Sequence, residues 1–233
     1  MKEVFKSIQI LNNGTAKYRL GDAILLQNGA ALSEKGVTNE QYKNTIGYDY
    51  CKATSACADI ELVNKLIDTH IEKNNYVLAE DELVIHLRIG ENKFGPYGNR
   101  KDPSKSKTID SEDEVNKLVD LVDDTFKDVV IVTAMHQVKD PSNDMYKSFE
   151  MLYNKLQKKG FNVSVKSSAS VDEDFCYISK AKNFIPTHGN FSVLAGLCNT
   201  NNVKWDICER DIMILGGETQ KYYERHIQQT HNG

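Results

Sequence analysis

The sequence predicts an α/β protein built on a parallel sheet. Short apolar runs rich in β-branched residues, at 83–85 and 128–133, alternate with amphipathic helical patterns such as residues 143–159. Strands that alternate with helices of this length are typical of parallel sheets with right-handed crossovers. The 233 residues, 40% hydrophobic and 27% charged, suffice for one large domain or two small ones.

The N-terminal part of the chain reads as a strand, a glycine turn and a helix. Residues 4–11 predict the strand, and the helical pattern begins after Asp22 and ends near Gly36. Residues 38–57 are the least legible, and we expect a short helix and a loop there. The apolar residues of 58–73 share one face, which predicts an amphipathic helix leading into the central strand.

The central strand ends in a polar pair. Residues 83–85 fit a buried strand, and His86 and Arg88 follow two residues apart. On an extended chain these two point to one side while Leu87 and Ile89 point to the other. An arginine fork at a strand's carboxyl end suits a phosphate oxygen. An arginine held in a salt bridge there is the alternative, and these residues alone leave both open.

The second half of the sequence is more regular. A long loop at 90–109 precedes a helix at 111–124, whose start carries a capping box of Ser111 and Glu114. The elements predicted beyond it are strands at 128–133, 161–165, 183–186 and 211–217, and helices at 143–159, 171–180, from 191 onward and at 219–229.

A polar turn follows the strand at 183–186. Thr187, His188, Gly189 and Asn190 precede a helix that begins at 191. Hydroxyl, amide and imidazole groups at a helix N-terminus predict a second anion site, because the backbone N–H groups there and the positive end of the helix attract negative charge. For any single one of these residues, a capped helix with a satisfied histidine is the more common explanation.

Composition narrows the class of protein. The formal charge of −4 and the pI near 5.9 argue against a nucleic-acid partner. The first residues lack the apolar core of a signal peptide, and no window reaches 18 uninterrupted apolar residues, so we expect a soluble, cytoplasmic protein without a membrane span. The five cysteines form an odd set without CxxC spacing, which predicts neither a zinc site nor a disulfide framework.

Three segments of the chain resemble, in order and spacing, the three motifs of the fucosyltransferase superfamily. They are YRLGDAILLQNGAAL at 18–32, HLRIGENKFG at 86–95 and DFCYISKAKNFIPTHGNFSVLAGL at 174–197. The resemblance implies a GT-B-like glycosyltransferase, with two small Rossmann-type halves, parallel sheets and a nucleotide sugar in the cleft between them. It also implies catalysis without a metal or another cofactor.

The domain organisation that the resemblance implies has two halves and a tail. The acceptor-side half would span residues 1–110, including the His86 and Arg88 strand. The nucleotide-sugar half would span 111–218, and a helical tail 219–233.

The resemblance also implies roles for individual residues. Arg88 would bind the β-phosphate of a GDP-sugar and stabilise the leaving diphosphate, and His86 would hold the nucleotide or the same phosphate. Asp174 matches the acid that contacts the base or ribose. The chain departs from the family where the second arginine of the middle motif is Ile89 and its aspartate is replaced by Glu91.

The remaining motif positions fall on two turns. The phosphate turn would be formed by Thr187, His188, Gly189, Asn190 and Ser192, with glycine and asparagine replacing some of the family's serines.

The glycine loop of Gly21 and Asp22 matches the acceptor side. The implied reaction is an inverting transfer of a sugar, fucose from GDP-fucose first, to a glycan or other hydroxyl acceptor. Arg88 would serve as the electrostatic catalyst, and either Glu91 or Asp22 as the general base. The sequence does not choose between the two carboxylates.

Other classes of function stay open at this stage. A metal-dependent transferase could use Asp172 and Asp174 as a metal pair, although the polar KSSAS segment before them does not read as the strand that such a pair needs. A non-catalytic nucleotide-sugar or glycan-binding protein, a transferase with another nucleotide sugar, and a phosphatase or sugar-phosphate enzyme are the others. A transferase without an anchor fits a bacterial or viral setting better than the Golgi.

Overall fold

A five-stranded parallel sheet forms the centre of the computed structural model. The structure describes residues 10–11, 45–53, 59–89, 109, 111–136, 146–168, 170–207 and 224. The strands are β1 (Ile10–Leu11), β2 (Leu83–His86), β3 (Asp128–Val132), β4 (Met135–His136), β5 (Asn162–Lys166), β6 (Asn183–Ile185) and β7 (Asn202–Val203). The helices are α1 (Ile46–Ala53), α2 (Ile60–Asn74), α3 (Glu112–Asp120), α4 (Lys147–Lys158), α5 (Val171–Lys180) and α6 (Asn190–Cys198).

The order of the strands makes the sheet doubly wound. It runs β5-β3-β2-β6-β7, and every neighbouring pair is parallel. From β2 the chain therefore builds outward to β3 and β5, and then returns to the other side of β2 to form β6 and β7. The direction of winding reverses between β2 and β6. In open α/β sheets this reversal opens a crevice at the carboxyl ends of the two strands, where ligands bind.

Each face of the sheet is covered by its own set of helices. Val84 and Phe184 pack in one apolar cluster with α1, α2, α5 and α6. Leu83 and Ile85, one residue out of phase, pack in a second cluster with α3 and α4. Because both faces are covered, β2 is buried along its whole length, and its continuous apolar run follows from that burial.

The helix starts are capped by the side chains that the sequence places there. The Ser111 hydroxyl accepts from the Glu114 amide at 3.2 Å, as the predicted capping box requires. Ser170 caps α5, and Asp59 caps α2 by accepting from the Leu62 amide at 3.0 Å. These caps satisfy amides that have no partner inside the helix.

The α/β class with a parallel sheet is confirmed, and it is Rossmann-like. α5 and the start of β6 lie where the sequence predicts them, whereas the helix predicted at 111–124 ends at Asp120. There the Asp123 side chain accepts from the Thr125 amide at 2.9 Å and turns the chain toward β3.

The domain boundary expected at residue 110 falls inside one sheet, since β2 pairs with β3 residue by residue from Leu83↔Val129 onward. β1 and β4 form a second, two-stranded parallel sheet, with Ile10 opposite Met135 and Leu11 opposite His136. The predicted strand at 211–217 and nearly all of the tail at 219–233 lie outside the described residues. Within the described ranges, no helix is long and apolar enough to cross a membrane.

Candidate functional site

Polar side chains meet where β2 and β6 end, at the reversal of the sheet. We call this group the crevice cluster and define it as His86, Arg88, Thr187, His188 and Gly189. β2 leads to α3 on one face of the sheet, and β6 leads to α6 on the other. The cluster therefore lies at the crevice where this class of fold binds ligands.

His86 is buried against two aromatic rings in succession. Its side of the strand faces α6, where its ring centroid lies 5.2 Å from that of Phe191. Phe191 in turn contacts Phe175 edge-on at 5.3 Å. Leu87 and Ile89 lie in the opposite core cluster, so the predicted division of this strand into two faces is confirmed. His86 is 7% exposed, which limits the surface that it offers to a ligand.

The Arg88 guanidinium lies directly against the N-terminus of α6. Gly189 is the N-cap residue of that helix and has φ of 102°. A Cβ at Gly189 would lie 3.0 Å from Arg88 Nη1 and 3.6 Å from Arg88 Cδ. Glycine is thus required here twice, by the backbone angle and by the close approach. A guanidinium and a helix N-terminus together form a positively charged corner that suits an anion.

Two threonines hold the end of β2 from both sides. The Thr187 hydroxyl donates to the His86 carbonyl at 2.6 Å, and the Thr133 hydroxyl donates to the Leu87 carbonyl at 2.5 Å. Both threonines are 1% exposed. Successive carbonyls of an extended chain point in opposite directions, so one threonine comes from β6 and the other from β3. The backbone immediately before Arg88 is therefore fixed on both sides.

The hydroxyls of the predicted phosphate turn face the interior. The Thr187 amide donates to Ser192 Oγ at 2.9 Å, and Ser192 is fully buried. The Thr187 hydroxyl itself donates to the His86 carbonyl. His188 and Asn190 are partly exposed, and Asn190 is the first residue of α6. Of the turn's predicted binding residues, the structure thus brings Gly189 to Arg88 and places Thr187 and Ser192 beneath them.

A contact that sequence reasoning missed joins this turn to α3. His188 Nε2 and Glu114 Oε1 are 3.2 Å apart, with side-chain exposures of 12% and 33%. The residues are 74 positions apart in sequence. The capping box marks Glu114 as a helix-start residue, but only the fold brings His188 to it.

Asp174 lies in the first turn of α5, the helix that follows β5. Both of its carboxylate oxygens accept from the Ser168 amide at 3.2 Å, and the residue is 4% exposed. Burial raises the pKa of Asp174 to about 6, opposed by the hydrogen bonds from Ser168 and by the charge of Lys166. The carboxylate that the resemblance assigns to the base or ribose thus holds its own loop.

A second polar cluster lies under α1 and was not predicted. We call it the His70 cluster and define it as Asp49, His70 and Asp172. His70 Nε2 lies 2.9 Å from Asp49 Oδ2, and His70 Nδ1 lies 3.9 Å from Asp172 Oδ2. Asp172 Oδ2 also accepts from the Ile46 amide at 2.9 Å. Burial raises the pKa of Asp172, and the Ile46 amide and His70 oppose that rise.

Helical spacing offered a signal for the His70 cluster. The buried residues of α2 are Ile60, Val63, Ile67 and His70, which share one face of the helix. A histidine in an apolar stripe needs a polar partner when it is buried. Asp172 and Asp174, the alternative metal pair, each serve a different backbone amide. Among the described residues, no group of three or more His, Cys, Asp or Glu side chains is arranged to hold a metal ion.

Three predicted site residues, Gly21, Asp22 and Glu91, lie outside the described residues. The sheet order and the crevice define the class of the chain, a Rossmann-like α/β protein. Comparison with protein-family models, with curated proteins and with solved structures finds no match in any of the three.

Proposed function

We propose that the chain binds the diphosphate of a nucleotide sugar at the crevice and transfers the sugar to a hydroxyl acceptor. The observation that carries the proposal is the Arg88 guanidinium lying on Gly189 at the N-terminus of α6, between the ends of β2 and β6. A diphosphate placed there meets a planar donor fork and the positive end of a helix together. The resemblance to fucosyltransferases makes GDP-fucose the first donor to test.

In this proposal Arg88 acts on the leaving group. Cleavage of the bond to the anomeric carbon leaves both bonding electrons on the diphosphate, and a fixed cation beside that diphosphate stabilises the transition state. The threonines behind Arg88 reduce the reorganisation that this stabilisation needs. The acceptor hydroxyl loses its proton to a general base, for which Glu91 and Asp22 stay the predicted candidates. The GT-B arrangement, with a second half supplying the acceptor side, belongs to the same proposal.

A second candidate is binding of a nucleotide or glycan without turnover. Ile89 occupies the position of the family's second arginine, and it is 3% exposed within the core cluster of α3 and α4. A buried isoleucine supplies no charge to a leaving diphosphate. This difference favours either a protein that retains binding alone or a transferase for another nucleotide sugar.

The first experiment measures ligand-induced thermal shifts with GDP, UDP, ADP and TDP, with their sugars, and with EDTA present or absent. We expect GDP or GDP-fucose to raise the Tm of the wild-type chain whether or not EDTA is present. Titration calorimetry should then show Arg88→Ala weakening GDP binding by about 10–100-fold, because a hydrogen bond to a charged group contributes about 1.5–3 kcal/mol.

The matched control is Lys166→Ala. Lys166 ends β5, two strands from Arg88 on the same edge of the sheet, and pairs with Glu173 at 2.8 Å. Its removal should leave GDP affinity unchanged within about twofold, since neighbouring strands are ~4.8 Å apart and the Lys166 charge is already paired with Glu173. Equal losses in both variants would assign the effect to general charge and not to the crevice.

Gly189→Ala supplies an independent variant. The added Cβ meets the guanidinium, and alanine cannot adopt the φ of 102° without strain, so Gly189→Ala should weaken GDP binding as Arg88→Ala does.

Incubation with GDP-fucose and mixed glycans then separates the two candidates. Release of GDP in excess of the chain supports transfer or hydrolysis, whereas tight binding without release supports a binding protein. Failure of every nucleotide to bind, or a requirement for a divalent ion, would overturn the proposal.

A further inference from the structure

Glu114 connects the two helices that border the crevice. It lies in the first turn of α3, on one face of the sheet, while its partner His188 lies in the turn that leads to α6 on the other face. The contact at 3.2 Å therefore crosses from one helical layer to the other at the reversal of the sheet.

The carboxylate is held in place at its other oxygen. In an ordinary capping box the glutamate reaches back to the N-cap backbone amide. Here the Ser111 hydroxyl donates to Glu114 Oε2 at 3.3 Å while Oε1 faces His188. Because α3 itself is anchored in the core through Val115 and Leu118, this second hold fixes the carboxylate against a rigid element.

The contact of Glu114 with His188 affects the position of Arg88 through His188 and Gly189. His188 stands between Thr187, which donates to the His86 carbonyl, and Gly189, which touches the guanidinium. We propose that Glu114 is a positioning residue of the crevice: through His188 it fixes the turn after β6 and so keeps Gly189 and Arg88 in register. The inference rests on the proposed function for its ligand, since it names how that same anion site is held.

The sign of one substitution separates positioning from charge. A carboxylate near a bound diphosphate repels it, so if charge were its whole influence, removal of Glu114 would tighten diphosphate binding. If Glu114 positions the turn, its removal weakens binding. The two roles predict opposite changes in the same Kd.

The binding test uses GDP and inorganic pyrophosphate as probes on the full chain. We expect Glu114→Ala to weaken both by about tenfold, the scale of one lost hydrogen bond to a charged group. Glu114→Gln should recover most of that loss, since its amide oxygen accepts at the same position. Tighter binding by Glu114→Ala would overturn the inference.

Glu112→Ala is the matched control for this test. It removes a carboxylate two residues away on the same helix, where Glu112 pairs with Lys155 at 3.0 Å and its side chain is 65% exposed. It should leave both affinities within about twofold, since an exposed ion pair contributes little. In an Arg88→Ala background, Glu114→Ala should add no further loss, because it acts through the residue already removed. Additive losses would contradict action through Arg88.

Hydrogen exchange in the unliganded chain tests the same inference without any ligand. The Thr187 amide is buried and donates to Ser192 Oγ, so its exchange reports opening of the turn. Glu114→Ala should speed its exchange by about tenfold or more relative to Glu112→Ala, while exchange in β3 stays unchanged. Unchanged exchange at Thr187 would overturn the inference whatever the binding data show. If the wild type binds neither probe, the proposed function fails, and this exchange result alone decides whether Glu114 holds the turn.

Discussion

The crevice cluster and the His70 cluster are built from similar groups and serve different ends. Each contains a buried histidine, and each lies beside the start of a helix that follows a strand of the sheet. In the His70 cluster, carboxylates from α1 and α5 face His70, and one of them also caps α1 through the Ile46 amide. Its hydrogen bonds join protein to protein and dock one helix.

The hydrogen bonds of the crevice cluster hold the backbone at the end of β2. The buried hydroxyls of Thr187, in the cluster, and of Thr133, beside it, donate to backbone carbonyls, and the guanidinium of Arg88 lies at the sheet's edge against a helix N-terminus. Burial and polarity are common to both clusters, so neither property identifies a binding site. What separates them is their place in the topology, because only one lies where β2 and β6 diverge.

The largest effect should come from removing the shared acid of the His70 cluster. Asp172→Ala leaves the Ile46 amide without its acceptor and leaves His70 with Asp49 as its remaining carboxylate in the cluster. Because the site is buried, we expect a loss of about 3 kcal/mol in the free energy of unfolding, measured by urea denaturation. The GDP affinity of the folded fraction should stay within about twofold of wild type.

Asp49→Ala is the comparison for that variant. The Asp49 side chain is 36% exposed, so water replaces part of what it provides, and its loss should cost less than that of Asp172. If Asp172→Ala instead abolished GDP binding at full stability, the His70 cluster would belong to the ligand site and the distinction drawn above would fail.

Asp174 tests the boundary between the clusters, since it precedes Phe175, which contacts Phe191 beside His86. Its folded-state pKa of about 6 exceeds the ordinary 3.8, so the folded chain binds the proton more tightly than the unfolded chain. The stability that this proton contributes is present below pH 4 and is lost as the pH rises through 6. At about 1.4 kcal/mol per pKa unit, the difference amounts to at most about 3 kcal/mol.

Asp174→Asn should therefore flatten the fall in unfolding free energy between pH 4 and pH 7, measured by urea denaturation at unit steps. Asp120→Asn, which removes an exposed carboxylate from α3, should leave the wild-type profile unchanged. Parallel profiles for wild type and Asp174→Asn would show that burial does not govern this group. A loss of GDP affinity in Asp174→Asn would instead place the residue with the ligand, as the resemblance implies.

The sequence predicted what local patterns determine. An apolar run placed β2, alternation put His86 and Arg88 on the same side, and the capping box located the start of α3 at Ser111. α5 has the predicted bounds, and its start is fixed locally by Ser170, whose side chain accepts from the Glu173 amide.

Long-range pairings were beyond such patterns. The strand order depends on such pairings. The contact of Glu114 with His188 joins residues 74 positions apart, and that of Asp172 with Ile46 joins residues 126 positions apart. No local propensity encodes them, because they arise from the packing of separate elements. The two-residue strands β4 and β7 were not predicted, for a related reason. At that length, pairing with a neighbouring strand decides the conformation.

The smallest predicted effect concerns Thr133, beside the crevice cluster. Thr133→Val keeps the shape of the side chain but removes the buried hydroxyl that donates to the Leu87 carbonyl, and we expect a loss of about 1–2 kcal/mol in unfolding free energy. Thr69→Val removes a chemically equal bond, from hydroxyl to the Lys65 carbonyl at 2.9 Å, on the exposed face of α2. That control should change stability by less than about 0.5 kcal/mol, since water replaces the lost partner.

GDP binding then separates a structural bond from a positioning one. With the Leu87 carbonyl released, one threonine hydroxyl holds the chain before Arg88 instead of two, so Thr133→Val should weaken GDP binding about threefold, whereas Thr69→Val should not change it. If Thr133→Val lost stability but bound GDP as wild type does, its hydroxyl would serve folding alone. The crevice cluster would then differ from the His70 cluster only by the place of Arg88, and not by the way its backbone is held.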